Sequence, residues 1–237
     1  MFANYSNDIN TWWLSALAMK NIKINVAKVF VNENGEYGNP VGMIVDEKKE
    51  LNNEDRQKIA TRSGFSECVF INDLKTGMVS IFNPQSEIDF SGHALLGAAY
   101  FLRKRKINNL QSKVSKIINW LEDDLIWIKA SVRNLPPWNF EELNKVVEVE
   151  NLSRDDMKNK KHIFVWSWLN AKKGIIKART FAYDWGIVED EANGSGATKL
   201  AAKLKKKLEI HHGKGSVIYS KALENDFVTL GGRVLFT

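Results

Sequence analysis

One plan occurs twice in this chain, about a hundred residues apart, and this internal repeat constrains the fold most. Residues 79–106 and 178–207 each read as a strand carrying a Phe, an acidic loop, a glycine-containing turn and an Ala/Leu helix with a basic end. A duplicated α+β fold of this kind would bring both helix N-termini to one cleft. Free backbone N–H groups at a helix N-terminus favour an anion, so we expect a small-molecule site between two similar halves.

The repeat divides the chain into a first half at 22–115 and a second half at 116–237, after an N-terminal extension of residues 1–21. Helices are predicted at 52–64 and 94–106, the second helix of the repeat is expected to continue to residue 208, and residues 113–132 fit either a helix or a strand. Further strands are predicted at 22–31, 41–46, 66–73, 78–84, 145–152, 161–170, 174–184, 215–221 and 226–236.

Chain length, cysteine content and hydropathy indicate whether the chain can bury a core and in which compartment it is expected. The chain has 237 residues, which is ample for a buried core. A single cysteine excludes an intrachain disulfide, so we expect a reducing, cytoplasmic location. The apolar run at 12–19 has no basic segment before it, and no stretch approaches the roughly 20 apolar residues of a spanning helix. We therefore expect neither a signal peptide nor a membrane partner.

The net charge of +6 comes with basic runs at 103–106, 158–161 and 203–208. Two of these runs fall near predicted helix ends, where cations complement the helix dipole. No nucleic-acid-binding motif accompanies them, so we expect no nucleic-acid partner. A metal site is not expected either, because His211 and His212 are adjacent and no Cys/His cluster occurs.

Glu67 lies at the start of an apolar segment, where strand alternation places it on the same face as Val69. A carboxylate in that position is either solvated at the end of a sheet or partly buried. Burial would raise its pKa and make it a general acid or base near neutral pH. The residue pattern alone favours the solvated position.

His93 opens the first helix of the repeat. The helix dipole disfavours a charged imidazole there, so we expect a neutral, hydrogen-bonding His93, with a simple capping or packing role as the alternative. Asp190 and Ser195 are equally suited to turn and cap roles. Together with Glu67, these residues lie at the strand ends and turns that the repeat directs toward one cleft.

Four segments occur in a specific order: "AKVFVNENGEYGNPVGMIV", "GFSECVFI", "IFNPQSEIDFSGHALLGAAYFL" and "ARTFAYDWGIVEDEANGSGATKLAAKL". They resemble the PhzF-type phenazine-biosynthesis family, which has the diaminopimelate-epimerase-like fold. The family patterns are roughly G-N-P, S-E, F-x-G-H-P and E-D-P-x-T-G-S-A. The four blocks span residues 27–204 with a poorly matching middle, and their order makes the resemblance specific.

The resemblance implies an α+β fold of two pseudo-symmetric halves, each a mostly antiparallel sheet wrapped around a central helix, with the site in the cleft between them. It implies that Glu67 is the acid/base that moves a proton. It assigns substrate binding to Ser66, Gly92, His93, Asp190, Gly194 and Ser195. It also implies a small carboxylate substrate, no cofactor and a homodimer.

Four positions depart from the family pattern: Ala94 and Glu191 stand where the family has Pro, Asn193 replaces Thr, and Gly196 replaces Ala. The extra acid at Glu191 would alter the substrate charge that the site prefers.

The resulting function is a cofactor-independent isomerase that shifts a proton on a small unsaturated amino or hydroxy acid. A two-thiol racemase is disfavoured because Cys68 is the single cysteine and lies on neither helix-opening turn. The altered turns and residues 1–21 leave an alternative open, a non-catalytic scaffold that binds a small acid or a partner. Convergence of Glu67, His93 and Asp190 on one enclosed site would favour the enzyme.

Overall fold

The computed structural model describes residues 22–113 and 116–237, so the N-terminal extension at 1–21 lies outside the described residues. Fifteen strands form one continuous sheet within the described residues. The strands are β1 Asn25–Val31, β2 Asn39–Val45, β3 Cys68–Asp73, β4 Met78–Phe82, β5 Glu87–Ile88, β6 Asn109–Gln111, β7 Lys116–Glu122, β8 Leu125–Ser131, β9 Asn139–Glu142, β10 Ile163–Asn170, β11 Ile175–Ala182, β12 Ile187–Asp190, β13 Lys207–His212, β14 Ser216–Ala222 and β15 Phe227–Phe236. The α-helices are α1 Asn53–Arg62, α2 Gly92–Leu102, α3 Val146–Glu150 and α4 Gly194–Leu204.

The internal repeat seen in the sequence is a repeat of strand pairings. In the first copy, β2 and β3 are parallel, β3–β4 and β4–β5 are antiparallel, β4 and β6 are parallel, and β6–β7–β8 are antiparallel. The second copy follows the same order from β9 to β15. The long helix of each copy, α2 or α4, lies between its fourth and fifth strands. The expected fold of two pseudo-symmetric halves, each with a central helix, is therefore confirmed.

The two halves differ in how their sheets close. In the first half, β15 pairs with both β8 and β1, so the path from β1 to β8 closes into a ring around α2. In the second half, the path ends at β9, which pairs with β10 alone among the described strands. No strand forms between β8 and β9, where the chain contains Pro136 and Pro137, and proline cannot donate to a strand ladder.

The two central helices reflect this difference. Helix α2 carries no Asp, Glu, Lys or Arg and is buried except at Tyr100 and Phe101. A helix that is apolar all round needs a surrounding core, which the closed ring supplies. Helix α4 is amphipathic, and its Lys199 and Lys203, spaced four residues apart, share one helix face.

The ambiguous segment at 113–132 is a β-hairpin within the described residues. Strands β7 and β8 pair antiparallel and stack Trp120 on Trp127. Asp123 and Asp124 form its two-residue turn with φ of 49° and 61°. Positive φ at both positions matches the right-handed twist of the strands, and Asp tolerates this conformation.

Two predictions of secondary structure are wrong. Residues 145–152 contain helix α3 instead of a strand, because the Glu148 carboxylate accepts the Lys145 N–H and caps the helix. The second long helix ends at Leu204, because Lys205 adopts a left-handed conformation with φ of 53°. Residues 207–212 then form β13 instead of extending the helix.

No helix among the described residues is long and apolar enough to cross a membrane. The boundary between the halves after residue 115 and the cytoplasmic location stay predictions.

Candidate active site

The N-termini of helices α2 and α4 meet at one point, as the sequence predicted. A Cβ atom added to Gly92 would lie 3.8 Å from the Cα of Gly194 and 2.5 Å from Leu230 Cδ2. A Cβ added to Gly194 would approach Leu230 and Phe30 at 3.1 and 3.2 Å. Glycine at both positions therefore allows the two helix-opening turns to approach each other closely while packing against the apolar side chains of Leu230 and Phe30.

Glu67 and His93 form the polar centre of the first half. Glu67 immediately precedes β3, and His93 is the second residue of α2. The Glu67 Oε2 atom lies 2.9 Å from His93 Nε2, and the two side chains are only 16% and 8% exposed. Ser66 Oγ lies 3.3 Å from the same His93 nitrogen. The solvated position that the pattern favoured for Glu67 is thus wrong, since its side chain turns inward toward α2.

Burial and charge act in opposite directions on this pair. Burial raises the pKa of Glu67, but the charge and hydrogen bond of His93, with hydroxyls of Ser66 and Ser91, outweigh it and lower that pKa below its usual range. Burial lowers the pKa of His93, but the Glu67 carboxylate and the charge of Asp190 outweigh it and raise that pKa. Both shifts favour the charged forms of the pair, which is the opposite direction to the effect of the helix dipole on His93.

One oxygen of this carboxylate remains available. Glu67 Oε2 is buried, and His93 Nε2 at 2.9 Å is the one partner that the described residues bring to it. A carboxylate oxygen accepts up to two hydrogen bonds, so Oε2 has room to accept a proton from a bound molecule.

Asp190 ties the second half to the first. Its Oδ1 atom accepts from Asn39 Nδ2 at 2.8 Å and from the Ala192 N–H at 3.2 Å. Its Oδ2 atom accepts from Asn193 Nδ2 at 3.0 Å. Asn39 begins β2 in the first half, so this bond spans the cleft. Oδ2 therefore keeps an acceptor position for a further donor.

Ser195 does not cap its helix. Asn193 is the N-cap of α4 and accepts the Gly196 N–H at 2.6 Å. The Ser195 hydroxyl instead accepts the indole N–H of Trp138 at 2.9 Å. It lies 3.5 Å from Asn193 Oδ1, to which it donates.

Three of the four departures from the family pattern have structural explanations, and the structure shows none for Ala94. A Cβ on Gly196 would lie 2.5 Å from both Asn193 Oδ1 and the Phe164 ring, so the Asn cap and the glycine belong together. Glu191 accepts from the Lys214 N–H and from the Ser216 hydroxyl. Its carboxylate therefore holds the β13–β14 turn, and the expected effect of Glu191 on substrate charge has no support from its position.

The structure brings the predicted residues together as two adjoining groups. Ser66, Glu67, Gly92 and His93 form the first group, and Asp190, Gly194 and Ser195 form the second. The charge of Asp190 acts on His93, and the two glycines are in close approach, which joins the groups. Two open surface cavities of about 320 and 280 Å³ lie elsewhere, around Arg233, and contain none of these residues.

Sequence reasoning missed Asn39, Ser91 and Trp138 as site residues. Asn39 lies in the G-N-P block, whose position in the pattern was the available signal. Ser91 caps α2, and its Oγ atom lies 3.3 Å from His93 Nδ1. Its position in the turn directly before His93 was the available signal. Trp138 lies in the poorly matching middle of the chain and had no signal. Among the described residues, no group of His, Cys, Asp or Glu has the arrangement of a metal site.

Comparison with known proteins finds matches to the same family that the sequence blocks resemble. The family model described as "Phenazine biosynthesis-like protein" matches residues 28–119. The trans-2,3-dihydro-3-hydroxyanthranilate isomerase of Pseudomonas chlororaphis is 26% identical over 217 residues, covering 75% of this chain and 78% of that protein.

Solved structures share the fold at low identity. A PhzC/PhzF protein of Clostridium difficile has a TM-score of 0.73 at 19% identity, with 91% of this chain and 97% of that chain covered. A probable proline racemase of Agrobacterium radiobacter has a TM-score of 0.56 at 8% identity, with 91% of each chain covered.

The fold and the site define an α+β protein with an internally duplicated fold, in which a polar cluster lies where the two central helices meet. The family model and the relatives named above confirm the resemblance to the PhzF-type phenazine-biosynthesis family.

Proposed function

We propose that this protein is a cofactor-independent isomerase that shifts a proton on a small unsaturated amino or hydroxy acid, with Glu67 as acid and base. The observation that carries the proposal is the Glu67–His93 pair, a largely buried carboxylate beside two convergent helix N-termini. The Pseudomonas relative is named an isomerase of a cyclic, unsaturated amino acid, which supports the same class of reaction.

The first step transfers a proton from an acidic carbon of the substrate to Oε2 of Glu67. The electron pair of the broken C–H bond enters the adjacent unsaturated system. The protonated Glu67 then returns the proton to another carbon of the same molecule, and the net reaction is an isomerisation without a redox change. The protonated His93 stays beside the carboxylate, where it keeps Glu67 ionised and ready to accept the proton.

The substrate carboxylate is placed at the turns that open α2 and α4. Backbone N–H groups of Gly92 and Gly194 and the hydroxyl of Ser195 are suitable donors there. Asp190 is placed to accept from the substrate amine or hydroxyl, since one acceptor position of Oδ2 is free. Ser66 contributes its hydroxyl beside the reacting carboxylate.

Solvent deuterium exchange tests the proposal. The wild-type protein and Glu67→Gln are incubated in heavy water with trans-2,3-dihydro-3-hydroxyanthranilate and a panel of small unsaturated amino and hydroxy acids. Glu224→Gln, in the exposed turn before β15, is the matched control. Exchange by wild type and the control, with loss in Glu67→Gln, supports the proposal. Full exchange by Glu67→Gln contradicts it.

A non-catalytic scaffold for small acids is the second candidate. The observation that favours it is the altered turn that opens α4, where Asn193 and Gly196 stand in place of the Thr and Ala of the family pattern. Binding of a panel acid without exchange would select the scaffold over the isomerase. Homodimerisation, implied by the resemblance, stays a prediction for light scattering of the purified chain.

A further inference from the structure

Trp138 contacts the proposed site, although no sequence pattern predicts a role for it. It follows Pro136 and Pro137 and directly precedes β9, at the place where the second half lacks a closing strand. Its side chain is half-buried, and its indole N–H donates to Ser195 Oγ at 2.9 Å. This geometry joins an aromatic ring to the turn that opens α4.

Two further rings extend this contact into an aromatic wall, formed by Trp138, His162 and Trp185. The Trp185 ring meets Trp138 edge to face at 5.0 Å and stacks on His162 at 4.5 Å with an interplanar angle of 9°. Asp184 holds His162 in place by accepting from its backbone N–H and from its Nδ1, both at 2.8 Å. All three rings are half-buried, so the wall keeps an accessible side.

The Trp138 bond decides which way the Ser195 hydroxyl acts. An indole N–H is a donor only, so Ser195 Oγ receives this bond as an acceptor and its own hydrogen must point elsewhere. In the structure that hydrogen is directed to Asn193 Oδ1 at 3.5 Å, which is a long contact. A carboxylate at the turn would offer a stronger acceptor, because hydrogen bonds to charged groups are shorter and stronger.

We propose that Trp138 is a positioning residue that fixes Ser195 as a donor to the substrate carboxylate. We infer further that the aromatic wall selects flat, unsaturated ring acids over flexible acyclic ones, because flat rings stack on aromatic faces. The inference deepens the proposed function and rests on it for the placement of the carboxylate.

The test measures binding, so its result is independent of turnover. Anthranilate is the flat probe and L-2-aminobutyrate the acyclic one, titrated into ¹⁵N-indole-labelled protein and followed by NMR and calorimetry. Trp138→Phe removes the N–H and keeps a ring, and Trp138→Leu removes both. Trp168→Phe, whose ring contacts Trp166 in β10, is the matched control. Ser195→Ala and the double variant with Trp138→Phe complete a double-mutant cycle.

We expect wild type and Trp168→Phe to bind anthranilate more tightly than L-2-aminobutyrate and to shift the Trp138 indole signal. Trp138→Phe should weaken anthranilate binding roughly three- to tenfold, which is the usual effect of one hydrogen bond. The effect should vanish in the Ser195→Ala background, which a merely structural role of Trp138 would not produce. Trp138→Leu should also abolish the preference for the flat acid.

Equal affinity of Trp138→Phe and wild type, a Trp138→Phe effect that persists in Ser195→Ala, or absence of anthranilate binding to wild type would each overturn the inference. These failures are separate from failure of the proposed function. Exchange by wild type with unchanged Trp138→Phe binding leaves the isomerase standing, and anthranilate binding without exchange leaves the positioning role standing.

Discussion

The two halves repeat one set of strand pairings, yet one closes around its helix and the other stays open. Closure of the first half lets α2 be apolar on all sides and buries His93 on its first turn. The open second half tolerates lysines on α4 and lets Trp138 reach Ser195 from the gap before β9. In the proposed function, the first copy holds the proton carrier Glu67 beside the buried His93, and the second copy provides the turn that binds the carboxylate, so the two copies of a duplicated fold have different roles.

The largest expected effect breaks the difference between the central helices. Gly97 in α2 occupies the position of Lys199 in α4 when the two helices are aligned from their first glycine. A side chain at Gly97 would begin 2.7 Å from Val41 Cγ1 inside the closed ring. Gly97→Lys would bury an unpaired ammonium there and lower the free energy of unfolding by more than about 4 kcal/mol.

Lys199→Ala is the reciprocal change, and it should alter that free energy by less than about 0.5 kcal/mol because this part of α4 is not enclosed. Urea unfolding monitored by circular dichroism compares the two variants. Normal stability of Gly97→Lys would show that the first ring is not closed around α2.

A smaller loss of stability should distinguish alanine substitutions at the two helix-opening glycines. Gly92→Ala would bring a methyl group to 2.5 Å from the fully buried Leu230, whereas Gly194→Ala would bring it to 3.1 Å. Overpacking typically costs about 1–3 kcal/mol, so we expect that loss for Gly92→Ala and a smaller one for Gly194→Ala. Thermal and urea unfolding give the ranking, and the reverse order would contradict the described approach of the turns.

The smallest effect is the pH dependence of the Glu67–His93 pair. The lowered pKa of Glu67 contributes stability above its ordinary value of 4.5, and this is lost as pH falls through the folded value. The raised pKa of His93 contributes stability below its ordinary value of 6.5, and this is lost as pH rises through the folded value. The pair therefore stabilises the fold most between pH 4.5 and 6.5.

Urea unfolding of wild type and Glu67→Gln at about pH 5.5 and about pH 8.5 measures this contribution. The stability advantage of wild type should be greater at the lower pH, because Glu67→Gln removes the main group that raises the pKa of His93. An advantage that grows toward the higher pH would contradict an imidazolium in the free site.

The sequence predicted the duplication and the convergence of the helix N-termini, because both rest on local patterns that occur twice. It did not predict the burial of Glu67, since that depends on how the segment before β3 turns toward α2. The valines of helix α3 favour a strand, and the bond from the Lys145 N–H to Glu148 overrides that preference. Trp138 lay beyond sequence reasoning, because its contact with Ser195 joins positions 57 residues apart.

The different roles proposed for the two halves are tested most directly by measuring the rate of deuterium exchange against ligand concentration. The measurement compares Glu67→Gln with Ser195→Ala. The ligand is trans-2,3-dihydro-3-hydroxyanthranilate, or the panel acid that wild type exchanges fastest. We predict that Glu67→Gln lowers the saturated rate by about 10²–10⁴-fold with little change in half-saturating concentration. Ser195→Ala should raise the half-saturating concentration and leave the saturated rate nearly unchanged. The account would be contradicted if Glu67→Gln kept the full saturated rate. It would also be contradicted if Ser195→Ala lowered the saturated rate without raising the half-saturating concentration.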